Sequence, residues 1–156
     1  MEYKLRNYQQ EAIDAGLSYL KKPGKPKLIV QGVGSGKSLV ISKLAHEFSD
    51  PVIVLQPSKE LLEQNFEKFL SFGGEGTICS ASMNSREISH TTYATIGSIK
   101  NNVDEFKALG VKTLIVDESH LMSPPEKGSM FRDFIEELKP TNILGFTATP
   151  FRLKNY

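Results

Sequence analysis

The chain has 156 residues, about the size of one domain, with 19 basic and 18 acidic side chains and a formal net charge of +1. No apolar run reaches the roughly 18 residues a membrane span needs, and the polar opening MEYKLRNYQQ is not a secretory signal. Cys79 is the only cysteine, which excludes an internal disulfide and a Cys-based metal site. A cytoplasmic protein without a membrane partner is the expectation. The near-neutral charge is silent on nucleic acid, because binding needs only a local basic face.

The elements alternate along the chain. Ile13, Leu17 and Leu20 fall at helical spacing. KLIVQ, 27–31, is a short apolar run of the buried-strand kind, and GVGSGKS follows it. Val40, Leu44 and Phe48 then share one helical face. VIVL, 52–55, reads as a second strand, and Leu62, Phe66, Phe69 and Leu70 mark the next helix. TTYA, 91–94, is a short strand and TLIVD, 113–117, a clear one. Phe131, Phe134, Ile135 and Leu138 form a helical stripe, and NILGF, 142–146, closes the pattern. KKPGKP, SFGGEGTICSASMNS and MSPPEKGS read as loops. The alternation predicts an α/β fold, a parallel sheet flanked by helices on both faces. Ligands of such sheets bind beyond the carboxyl ends of the strands.

QGVGSGKS, 31–38, lies after a strand and before a helix, where a phosphate cradle belongs. Glycines let the backbone curl so that N–H groups point inward at phosphate oxygens. The helix starting near Lys37 adds the positive end of its dipole. Val33, Gly34, Ser35, Gly36, Lys37 and Ser38 are the candidate nucleotide contacts. Lys37 would reach the β- and γ-phosphates, and Ser38 would offer its hydroxyl to Mg²⁺. Gln31 replaces the usual first glycine, but it ends the strand and lies outside the part that wraps phosphate. A glycine-rich turn with an exposed lysine is the bland alternative.

TLIVDESH delivers adjacent carboxylates, Asp117 and Glu118, at the carboxyl end of an apolar strand. Mg²⁺ takes oxygen ligands, which makes Asp117 the candidate metal partner. Transfer of a phosphoryl group to water needs a residue that orients the nucleophile, and Glu118 is the candidate. A solvated turn or a helix N-cap would explain Asp117 without chemistry. Residue type alone gives His120 no role.

Taken in order, QGVGSGKS, VDESH and TATP resemble the first motor domain of superfamily 2 helicases of the DEAD/DEAH-box type. LRNYQQEAI resembles the adenine-reading segment of that family, PSKELLEQN its motif Ia, and TYATIGSI the motif after it. The run ending in TATPFRL looks most like the RadD-type branch and related phage and restriction-enzyme motors. The resemblance implies a RecA-like P-loop NTPase fold with ATP and Mg²⁺ as cofactors. It implies a catalytic set of Lys37, Asp117, Glu118 and His120, with Gln9 on the adenine edge and Arg6 against the base. His120, Thr147 and Thr149 would couple the nucleotide to nucleic acid. The nucleic acid is expected to be DNA, single-stranded or branched, although the residues do not separate DNA from RNA. A nucleoid-associated protein, or a phage protein in host cytoplasm, fits that reading.

Family members grip a strand mainly through its phosphates. Ser58 and Lys59 begin a helix just after a strand, where backbone N–H groups can meet a phosphate. Thr95 and Ser98 lie in a similar polar turn. Ser58 is also explained as a plain N-cap, and the second turn as structural. The resemblance covers the chain from Leu5 to about Leu153, so residues 1–156 read as a single RecA-like ATP-binding domain. The chain stops six residues after TATP, and a second RecA-like domain of the same parent protein is expected as its partner. A nucleotide-controlled binding module without productive unwinding is the alternative function.

Overall fold

The computed structural model describes residues 7–21, 27–30, 37–80, 85–117 and 125–147. Six helices and seven strands lie in this part of the chain: α1 (Asn7–Lys21), β1 (Lys27–Val30), α2 (Lys37–Glu47), β2 (Val52–Leu55), α3 (Lys59–Ser71), β3 (Thr77–Ser80), β4 (Ser85–Arg86), β5 (Thr91–Ala94), α4 (Ile96–Ile99), α5 (Val103–Leu109), β6 (Thr113–Val116), α6 (Pro125–Leu138) and β7 (Asn142–Thr147). The strands form one sheet in the order β1-β7-β6-β2-β5-β3-β4. Every neighbouring pair is parallel except β3 with β4, which is antiparallel at the edge.

The middle of the sheet is buried on both faces, so VIVL of β2 and LIV of β6 are apolar runs rather than alternating patterns. Side chains of β2 still divide with the period of two that a strand imposes. Val52 and Val54 pack with Tyr93, Ile115, Leu144 and Phe146 under α1, α2 and α3, through Ile13, Val40, Leu44, Leu62 and Phe69. Ile53 and Leu55 pack with Ala94, Leu114 and Val116 on the other face, under α4, α5 and α6, through Ile96, Phe106, Phe134 and Leu138. The predicted two-faced parallel sheet is therefore present, as are all five predicted strands.

Two stretches differ from the sequence reading, and two others are refined by the structure. SFGGEGTICSASMNS is not all loop, because Thr77–Ser80 forms β3, parallel to β5. Its apolar content is only Ile78 and Cys79, too short a run to stand out among small polar residues. MSPPEKGS is not all loop either, since α6 opens at Pro125. Proline suits a first helical position, where its missing N–H would have had no partner. Leu70 does not belong to the buried stripe of α3 and is 47% exposed. Asn65 lies inside that stripe instead, buried beside Leu62 and Phe69. Thr95 and Ser98, read from the sequence as a polar turn, flank and join a helical turn, α4.

The end of α3 shows how the glycines serve the fold. Gly73 adopts φ +85°, and its N–H donates to the Leu70 carbonyl at 2.9 Å. The Gly74 N–H donates to the Phe69 carbonyl at 3.1 Å, so carbonyls of the last turn are satisfied by the left-handed exit.

Candidate functional site

The carboxyl ends of β1, β7, β6, β2 and β5 lie in a row along one edge of the sheet. Val30 of β1 is in register with Thr147 of β7, and Gly145 of β7 with Val116 of β6. Leu55 of β2 is in register with both Val116 and Ala94. The first residues beyond each strand are therefore set side by side. Asp117 comes directly after β6, Gln56 and Ser58 come after β2, and Thr95 comes after β5. Backbone bonds tie these ends together: the Asp117 N–H donates to the Leu55 carbonyl at 2.9 Å, and the Gln56 N–H to the Ala94 carbonyl at 2.8 Å. Thr147, Asp117, Ser58 and Thr95 thus share one edge, as strand-end function requires.

Lys37 and Ser38 open α2, the helix predicted to meet phosphate. Gln9 is buried in the first turn of α1. Arg6, Gln31, Val33, Gly34, Ser35, Gly36, Glu118, His120 and Thr149 lie outside the described residues.

A polar network joins Ser38 to Asp117, and most of its members escaped the sequence reading. Asp117 is 2% exposed, an acid almost wholly removed from water. Such a group requires partners. Asn65 supplies one: its Nδ2 donates to Asp117 Oδ2 at 3.1 Å and to Gln56 Oε1 at 2.8 Å. The Ser42 hydroxyl donates to the Ser38 carbonyl at 2.8 Å and lies 3.4 Å from the Asn65 carbonyl oxygen. Lys68 Nζ donates to Ser38 Oγ at 2.6 Å. Burial pushes the Tyr93 hydroxyl far above the ordinary tyrosine range; the nearby Ser42 hydroxyl offsets part of this, and the charge of Asp117 adds to it.

The signal that could have found Asn65 is its spacing. Leu62, Asn65 and Phe69 stand at i, i+3 and i+7 on the apolar face of α3, where a polar residue needs a reason. Ser42 likewise falls between the core residues Ile41 and Leu44.

The oxygen set fits a hard divalent cation. Ser38 offers a hydroxyl and Asp117 a carboxylate, and Mg²⁺ typically takes one or two such protein ligands, with phosphates and waters completing its shell. Among the described residues no three His, Cys, Asp or Glu side chains form a metal cage. The Lys68 ammonium on Ser38 Oγ shows that this hydroxyl already accepts from a positive charge.

The candidate nucleic-acid residues have structural partners as well. Ser58 is a working N-cap, its Oγ accepting from the Leu61 N–H at 3.3 Å, and Lys59 is exposed. The Thr95 and Ser98 hydroxyls pair with each other at 2.8 Å. Both groups stand two strands or fewer from Asp117 along the edge.

No curated protein sequence matches this chain significantly. Solved structures share its fold at low identity. The Hef helicase domain of Pyrococcus furiosus is 21% identical with a TM-score of 0.67, over 93% of this chain and 33% of that one. The SWI2/SNF2 ATPase core of Sulfolobus solfataricus, solved with double-stranded DNA, is 18% identical with a TM-score of 0.65, over 97% and 33%. A nuclease-deletion mutant of the type ISP restriction-modification enzyme LlaGI, solved with a DNA substrate mimic, is 20% identical with a TM-score of 0.63, over 95% and 18%. The chain therefore spans a third or less of each of these three structures. The family described as type III restriction enzyme, res subunit (ResIII) matches residues 2–152. With that match over nearly its whole length, and with the strand-end site described above, the chain belongs to the ResIII family and is a RecA-like motor domain of the superfamily 2 helicase kind.

Proposed function

We propose that this chain is the ATP-binding motor domain of a helicase or translocase, in which ATP hydrolysis drives movement on, or remodelling of, nucleic acid, with DNA as the substrate. One observation carries the reading. Asp117, an almost fully buried carboxylate, stands at the end of a buried, mainly apolar inner strand and is tied through Asn65 and Ser42 to Ser38 at the start of α2. Fold stability alone gives no reason to bury a carboxylate there.

In this reading Lys37 and the backbone of 33–38 hold the β- and γ-phosphates. Ser38 and Asp117 hold Mg²⁺, which when bound neutralises charge on the transferring phosphoryl group. Glu118 orients the attacking water, and His120, Thr147 and Thr149 link that site to the nucleic-acid edge. Ser58, Lys59, Thr95 and Ser98 meet a strand's phosphates in this reading, which suits a motor indifferent to sequence. The DNA present in two of the similar structures supports DNA as the track.

The test is steady-state hydrolysis by the full-length protein with single-stranded DNA, duplex DNA, branched DNA and RNA. Stimulation by DNA is expected. Glu118→Gln is expected to abolish hydrolysis while retaining ATP binding, and Lys37→Ala to weaken binding itself. ATP binding that alters DNA affinity with no hydrolysis in the wild type would replace the motor by a nucleotide-controlled binding module.

A further inference from the structure

We propose that Asn65 is a positioning residue for the metal-binding carboxylate, fixing the orientation of Asp117 from the neighbouring helix. The inference rests on the functional reading above and extends it to Asn65, the last residue of PSKELLEQN, to which the resemblance gave no role.

Three features carry it. The first is placement. Asn65 is 2% exposed on the apolar stripe of α3, between Leu62 and Phe69. An amide there is costly unless both its hydrogens find acceptors. The second is where those acceptors lie. Neither belongs to α3: Gln56 Oε1 at 2.8 Å comes after β2, and Asp117 Oδ2 at 3.1 Å comes after β6. An ionised carboxylate only accepts, so the amide nitrogen must face Asp117. An Asn NH₂ group has two donors in a fixed plane, and one goes to each acceptor. The Gln56 bond therefore sets the plane of the Asn65 amide, and that plane sets which oxygen of Asp117 is engaged.

The third feature is the consequence for the carboxylate. Commitment of Oδ2 to Asn65 fixes the rotation of the Asp117 side chain, and with it the direction of Oδ1. A metal ligand is useful only if its oxygen is held toward the metal, and partners that do this typically affect metal affinity about 10- to 100-fold. The backbone is held as well, since the Asp117 N–H donates to Leu55 and the Gln56 N–H to Ala94. Asn65 acts on the side-chain rotation of Asp117, which those backbone bonds do not set.

The test is made on the full-length protein with a fluorescent ATP analogue, measuring affinity in EDTA and across a Mg²⁺ titration. Asn65→Leu keeps a similar volume and removes the donor. A folded Asn65→Leu protein is expected to bind the analogue in EDTA as the wild type does, while its Mg²⁺ midpoint rises at least about tenfold. Gln56→Leu releases the amide plane and is expected to shift the midpoint in the same direction. An unchanged Mg²⁺ midpoint in folded Asn65→Leu overturns the proposal, as does an equal loss of affinity with and without metal, which would mark a merely structural bond. If Asn65→Leu does not fold by its thermal transition, Gln56→Leu decides in the same way. A wild type that binds no nucleotide at all overturns the functional reading, and this inference falls with it; a wild type with Mg²⁺-dependent binding and an inert Asn65→Leu sinks the inference alone.

Discussion

Tyr93 carries a hydroxyl into the packed layer between the sheet and α3. Its ring lies 5.4 Å from Phe66 and 5.2 Å from Phe69, centroid to centroid, so the aromatic body is well used. The hydroxyl has no hydrogen-bond partner of good geometry among the described residues, and burial holds it protonated far beyond the usual tyrosine range. The sign of the pH effect is set by proton binding. An unfolded tyrosine loses its proton near about pH 10, whereas the native one keeps it. Above that pH the native state binds more protons than the unfolded state, so stability falls as pH rises. Tyr93→Phe retains the ring and removes the titrating group. Its urea midpoint at pH 7 is expected to match the wild type or exceed it by up to about 1 kcal/mol of stability. Above about pH 10 the variant should lose stability less steeply, and parallel alkaline curves for the two proteins would refute the assignment.

At the scale of elements, the exit from α3 decides how tightly that aromatic layer closes. A Cβ added at Gly74 would stand 2.5 to 2.7 Å from the Phe69 ring, closer than packed atoms allow. Phe69 is fully buried against Tyr93 and Phe66, so it cannot swing aside without disturbing both. Gly74→Ala is therefore expected to cost about 1–3 kcal/mol, as overpacking of a filled core does. Gly97 in α4 has nothing within 4 Å of such a Cβ and no left-handed backbone, and Gly97→Ala should be near neutral or slightly stabilising. Equal thermal transitions for the two variants would contradict this account. The same elements show what a sequence can carry. VIVL and the LIV of TLIV stand out because strands buried on both faces favour apolar runs, and TTYA by residues that suit a strand. β3 offers only Ile78 and Cys79, and its place as a strand depends on β5 beside it. The buried network was only half legible. Asn65 betrays itself by its spacing on the apolar stripe of α3, but its partner is found only when the register of β6 against β2 brings Asp117 to it.

For the whole molecule, the arrangement of the site has a direction. Its described members lie along one edge of a single sheet, from Thr147 on β7 through Asp117 to Ser58 and Thr95. The motifs that compose it were readable because each comes directly after a strand, and parallel strands put such residues on one edge. Their partners across the nucleotide are another matter. The chain spans 18% to 33% of the three similar structures named above, and the function proposed here includes a second RecA-like domain facing this one. A nucleotide held by one wall lacks whatever cationic groups the other wall brings to the developing charge of the transition state. In other NTPases an arginine supplied in this way is worth about 10³ to 10⁵ in rate. Residues 1–156 expressed alone are therefore expected to bind Mg²⁺–ATP weakly and to hydrolyse it about 10³-fold or more slowly than the full-length protein. DNA should fail to stimulate the isolated domain, because half of its grip on the strand would be missing. Single-turnover hydrolysis of the two proteins, with and without single-stranded DNA, decides the point. Comparable rates from the isolated domain would mean that Lys37, Asp117 and Glu118 complete the reaction unaided, and that the second wall serves movement rather than chemistry.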